Sequence, residues 1–83
     1  MNKIYINIYI PASGKSIEIK VSEKIKIGKL IEMLKDYLKT NVSDGFEPND
    51  STSLCDAKKG TIYSNNSRLM DLDIYDGYEM LLI

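Results

Sequence analysis

Three groups of residues in this 83-residue chain have types and spacings that could do chemistry. Gly14-Lys15-Ser16 matches the last positions of a phosphate-cradling loop, in which backbone N–H groups and a lysine hold a nucleotide's phosphates. Asp71, Asp73 and Asp76 offer oxygen ligands of the kind calcium takes. Cys55 is the sole thiol, a nucleophile where its pKa is lowered. None of the three survives inspection. The first glycine of the phosphate loop would have to stand at Tyr9, and a strand rather than a helix follows Ser16. The aspartates miss the EF-hand spacing and have no bidentate Glu to close a loop; Asp71 reads as a cap on local backbone and Asp76 as the start of a turn. Cys55 follows the apolar Leu54, and with no histidine in the chain to activate it, it reads as structural. No catalytic, metal or cofactor site is expected, and the protein is not expected to be an enzyme.

The composition points the same way. Hydrophobic residues make up 43% and charged residues 28%, which is globular rather than disordered. Lys and Arg number 11 against 12 Asp and Glu, and a net charge of −1 argues against nucleic acid as a partner. One cysteine excludes an internal disulfide and is consistent with a reducing compartment. The charge is unevenly spread: residues 1–40 hold eight Lys against four acids, residues 41–83 three basic groups against eight acids. Ile4–Ile10 is interrupted by Asn7 and two tyrosines and makes a poor signal peptide, and no stretch is long and apolar enough to span a bilayer. A cytoplasmic protein without direct membrane insertion is expected.

Positioning falls to one sheet and one helix. Ile4, Ile6, Ile8 and Ile10 alternate with Tyr5, Asn7 and Tyr9, a strand with one β-branched face. Pro11-Ala12-Ser13-Gly14 is turn chemistry, and alternation resumes at Ile17, Ile19 and Val21, so a hairpin is predicted. Ile27, Leu30, Ile31, Leu34 and Leu38 then switch to helical spacing and predict an amphipathic helix over 27–39, with local ion pairs among Glu32, Lys35 and Asp36. Residues 41–53 are polar and turn-rich and are expected to form a mobile loop within a single domain covering 1–83. Two short strands are predicted at 53–55 and 61–63, then an irregular segment holding Leu69, Leu72 and Ile74, and a last strand over 78–83. The order ββαβββ, with first and last strands central, predicts an α+β β-grasp: a mixed sheet of four to five strands packed on one helix.

The chain's close, Leu69-x-Asp71-x-x-Ile74-x-Asp76-Gly77-x-x-Met80-x-Leu82, resembles that of ubiquitin-like domains. Leu69 and Ile74 would plug the core, Gly77 would supply the turn, and Met80 and Leu82 would point inward. The helix entry Ile27-Gly28-Lys29-Leu30-Ile31 is similar to that of the YukD/EsaB family, small ubiquitin-like proteins of Gram-positive type VII (ESX-like) secretion systems. This resemblance implies a non-enzymatic accessory or regulatory protein whose partners are proteins, membrane secretion-complex components among them. Tyr78 departs from the pattern, standing where an acidic residue often follows the glycine. The sequence stops at Leu81-Leu82-Ile83 without the Gly-Gly tail of conjugated modifiers and sulfur carriers, so neither role is expected. The alternative is an accessory subunit or carrier in a metabolic enzyme complex, of the oxygenase-subunit or sulfur-carrier type.

If the isoleucines of the first strand and Met80 and Leu82 of the last face the helix, the intervening residues face away. Tyr5, Tyr9, Leu81 and Ile83 would then share the sheet's open face, a contiguous apolar surface suited to a protein partner or to a homodimer.

Overall fold

The computed structural model describes residues 3–40 and 51–83. The first hairpin forms as its alternation dictates: β1 (Lys3–Ile10) and β2 (Lys15–Ser22) pair antiparallel, Ile6 opposite Ile19 and Ile8 opposite Ile17. In the intervening turn the Ser13 and Gly14 N–H groups both donate to the Ile10 carbonyl, at 3.1 and 2.9 Å. Gly14 has φ +71°, a conformation that disfavours a Cβ.

Helix α1 (Ile27–Thr40) follows Lys26, whose side chain carries no hydrogen-bond acceptor with which to cap it. Its first N–H groups are met instead by a later segment: Ile27 donates to the Ser67 carbonyl at 2.9 Å and Gly28 to that of Asn65 at 3.0 Å. The approach is close enough that a Cβ on Gly28 would stand 3.3 Å from the Asn65 Cβ and carbonyl oxygen, which accounts for the glycine. On the exposed side Lys29 pairs with Glu32 at 3.7 Å.

Strand β3 (Leu54–Asp56) and strand β4 (Tyr78–Leu82) complete a sheet ordered β2-β1-β4-β3. β4 runs parallel to β1, with Ile6 beside Tyr78 and Ile8 beside Met80, and antiparallel to β3. The fold is the expected β-grasp, with β1 and β4 at its centre. The predicted strand at 61–63 reduces to a single bridge between Ile62 and Cys55. Two hydrogen bonds flank it, Asp56 N–H to the Thr61 carbonyl and Tyr63 N–H to that of Leu54, before Ser64-Asn65-Asn66 turns the chain away. A 3-10 turn at Leu69–Asp71 follows, where the Asp71 carboxylate accepts the Arg68 N–H at 3.2 Å, the capping role expected of it.

Ile6, Ile8 and Ile10 of β1, Leu54, Met80, Leu82 and Leu69 have no exposed surface, and they face Ile27, Leu30, Leu34 and Leu38 of the helix. Leu72 and Ile74 pack against this core and stay partly exposed. So do Ile17 and Ile19, because β2 lies at the sheet edge with one strand neighbour instead of two. Of the expected mobile loop 41–53, residues 41–50 lie outside the described residues. Ser53 is tied to Ile83 by reciprocal backbone hydrogen bonds of 2.7 and 3.0 Å, which carry the β3–β4 pairing one step further. Among the described residues no helix is long and apolar enough to cross a membrane, and no group of His, Cys, Asp or Glu is placed to hold a metal ion.

Candidate protein-binding face

The parity of β1 and β4 decides what the open face carries. With Ile8 and Met80 inward, their neighbours Tyr9 and Leu81 are outward and directly paired. Leu81 in turn pairs with Cys55, and Cys55 with Ile62. Directly opposed residues share a face, so Tyr9, Leu81, Cys55 and Ile62 form one row across three strands and the bridge, about 15 Å long at ~4.8 Å per strand. Tyr9 is 40% exposed, Ile62 67%, and Leu81 half-buried. Ile83, 50% exposed, lies next to Leu81 on the same side, held by its pairing with Ser53.

Of the four residues singled out from sequence, the structure thus brings Tyr9, Leu81 and Ile83 together. Tyr5 shares the face but stands ~13 Å along β1 from Tyr9, beyond the polar pair Asn7 and Glu79. Its ring lies 5.3 Å from the Lys20 ammonium, a cation–π contact. Its backbone anchors the β4 turn: the Asp76 carboxylate accepts the Tyr5 N–H at 2.7 Å, and the Tyr5 carbonyl accepts the Gly77 N–H at 2.9 Å. Gly77 takes φ +82° to make that turn. Ile62 was not among the expected site residues. Alternation of Thr61-Ile62-Tyr63 carried the signal, since a strand there has to put Ile62 on the side opposite Tyr63.

Cys55 sits in the middle of the row yet is only 4% exposed, and burial pushes its thiol above the ordinary value. Thiolate is the reactive form, so Cys55 is expected to resist a thiol reagent at neutral pH in the native state and to react stoichiometrically in denaturant. Ellman's reagent followed by absorbance checks this, and rapid native labelling would show the row to be open at its centre.

Behind the row, on the helix side of β3, lies a feature that the sequence did not announce. Asp56 is 3% exposed and its carboxylate accepts four hydrogen bonds. Tyr78 and Tyr63 hydroxyls donate at 2.5 and 3.1 Å, and the Lys58 and Lys59 backbone N–H groups at 2.8 and 2.9 Å. Burial alone would raise the Asp56 pKa, but the bonds from Tyr78, from the two N–H groups and from Tyr63 outweigh it and hold it down at about 2. The same bonds act in reverse on the donors: the Tyr78 hydroxyl is pushed up to about 12 by Asp56, and Tyr63 upward by burial and Asp56. The Tyr75 and Tyr78 rings meet edge to face at 4.8 Å, and the Lys58 ammonium, bonded to the Tyr75 hydroxyl, lies 4.9 Å from the Tyr75 centroid. The buried carboxylate is satisfied by donors from the turn, from Tyr63 and from Tyr78, which makes the network a clamp joining β3 to β4.

By sequence, no protein-family model and no curated protein matches the chain. By structure it resembles the ubiquitin of Caldiarchaeum subterraneum, with a TM-score of 0.80 at 23% identity over 99% of this chain and 92% of that one. The chain has the ubiquitin-like fold. It is similarly close to the EccD5 ubiquitin-like domain from Mycobacterium xenopi, with a TM-score of 0.74 at 18% identity over 100% of this chain and 94% of that one. A chain of the MycP5-free ESX-5 inner membrane complex matches with a TM-score of 0.71 at 15% identity, over 98% of this chain and 20% of that chain.

Proposed function

We propose that this protein is a ubiquitin-like interaction module, not an enzyme, that binds a protein partner through the open face of its sheet. The apolar row Tyr9–Leu81–Cys55–Ile62, with Ile83 beside it, carries the reading. Such a row, aromatic at one end and exposed at Tyr9 and Ile62 on either side of the buried Cys55, is what the desolvated core of an interface consists of. The partner is a component of a type VII (ESX-like) secretion apparatus, and the protein serves it from the cytoplasm as an accessory or regulatory part of the YukD/EsaB kind. That assignment rests on the resemblance at Ile27–Ile31 and on the likeness to the EccD5 domain and the ESX-5 chain.

The test is affinity capture from cells carrying such a system, wild type against Tyr9→Ser combined with Leu81→Ser. Both side chains are partly solvated, so the double variant is expected to keep a native circular dichroism spectrum while losing partner capture at least tenfold. Retention of an undiminished set of secretion components by the double variant would refute the face. Capture of a metabolic enzyme instead, with secretion components absent, would favour an accessory subunit and refute the secretion reading.

A further inference from the structure

The two edges of the sheet are treated differently. The outer side of β3 is engaged by the Ile62 bridge, whereas among the described residues nothing pairs with the outer side of β2. An eight-residue strand, Lys15–Ser22, therefore presents unpaired backbone N–H and C=O groups along one edge. Along that edge runs a largely apolar groove of about 400 Å³, lined by Ile19, Lys20, Val21, Met33, Leu34 and Tyr37. Met33 and Tyr37 are 45% and 47% exposed there.

Charge decides what fits this edge. Glu18 and Lys20 stand on the open face, one on each side of Ile19, and the strand reads Ser16-Ile17-Glu18-Ile19-Lys20-Val21-Ser22. Reversed about Ile19 it is its own complement. An antiparallel pairing of two such strands with Ile19 opposite Ile19 sets Glu18 opposite Lys20 twice, Ile17 opposite Val21 twice and Ser16 opposite Ser22 twice. Registers centred on Glu18 or on Lys20 place like charges face to face, and in-register parallel pairing does so at both positions. A shift by one residue would set the apolar face of one strand against the polar face of the other. Registers centred on Ile17 or Val21 overlap the two strands over only five or three residues, against seven about Ile19, so the Ile19 register pairs the most backbone.

We infer that the β2 edge is a two-fold interface at which a second copy of this chain adds its own β2, extending the sheet to eight strands. The Glu18 and Lys20 that keep unrelated strands off an exposed edge are matched twice over by this twin, and the isologous contact closes at two copies. The grooves of the two copies meet along the new strand pair. This surface is separate from the row proposed for the partner, and both can be occupied together. A single strand pairing is a small interface, so the dimer belongs to the concentrated end of the range.

Sedimentation equilibrium up to ~1 mM tests it, with folding of each variant followed by circular dichroism. Wild type is expected to show a monomer–dimer equilibrium. Glu18→Lys alone and Lys20→Glu alone each set like charges opposite one another twice, and each is expected to raise the dimer Kd at least ~tenfold. Combining the two substitutions in one chain is expected to restore the wild-type Kd, and an equal mixture of the two single variants to form a heterodimer. Heterodimer formation in the mixture also shows that the single variants fold. A monomer throughout the concentration range overturns the inference. So does a dimer indifferent to the single reversals, or one lost instead with Tyr9→Ser and Leu81→Ser, which would place the contact on the open face.

Discussion

Replacement of Asp56 by alanine is expected to lower the unfolding free energy by about 3 kcal/mol. Hydrogen bonds to a charged group contribute ~1.5–3 kcal/mol each and are not additive within a network, and their loss here also strands the hydroxyl of the buried Tyr78. A domain of this length has only about 4–12 kcal/mol of stability in all, so the substitution removes a large share of it. The pH dependence separates the clamp from generic packing. The Asp56 carboxyl is held at about 2 in the fold, below its ordinary 3.8, so its contribution is complete above about pH 4 and is lost as the pH falls from there through 2. Urea unfolding at pH 7 and at pH 3 checks both statements. The difference between wild type and Asp56→Ala is expected to shrink at the lower pH, and a difference that stays constant would show that the carboxylate's charge is not what holds β3 to β4.

Ile8→Ala is expected to cost as much or more, about 2–5 kcal/mol, because Ile8 has no exposed surface and sits in a central strand between β2 and β4. Its neighbour Tyr9 points to the other face and is 40% exposed, so Tyr9→Ala is expected to change stability by less than about 1 kcal/mol. The pair forms an internal control: adjacent residues in one strand, one structural and one available for binding. Thermal and urea unfolding of both variants measure it. Comparable losses at the two positions would mean that the open face is itself a packing surface, and the proposed interface would fall with it.

The architecture was legible because its two periodicities are undisturbed. The isoleucines of β1 repeat every second residue, the apolar stripe of α1 repeats at three and four, and Met80 and Leu82 alternate again. What escaped notice depends on contacts between residues distant in sequence. Asp56 follows Cys55 at the mouth of a turn, where a carboxylate ordinarily faces water. Its burial needs Tyr63 and Tyr78, seven and twenty-two residues away, and only the β3–β4 pairing brings them to it. Tyr78 did stand out as a departure from the ubiquitin-like ending. The departure now has a physical reason: an acidic side chain there would meet the Asp56 carboxylate, whereas tyrosine donates to it. The open face was legible by parity alone. Its grouping was not, since the offset of β4 against β1 sets Leu81 beside Tyr9 and leaves Tyr5 at the far end of the strand.

The parallel pairing of β1 with β4 has a mechanical consequence. These are the outermost elements in the described sequence and immediate neighbours in the sheet. Tension drawing the start of β1 away from the finish of β4 acts along the strands and in opposite senses. The ladder between them is therefore loaded in shear, all its bonds at once, whereas an antiparallel pair pulled from one end opens bond by bond. A protein docked between moving parts of a larger machine would resist being drawn out by its ends while still releasing from a partner held only at its face.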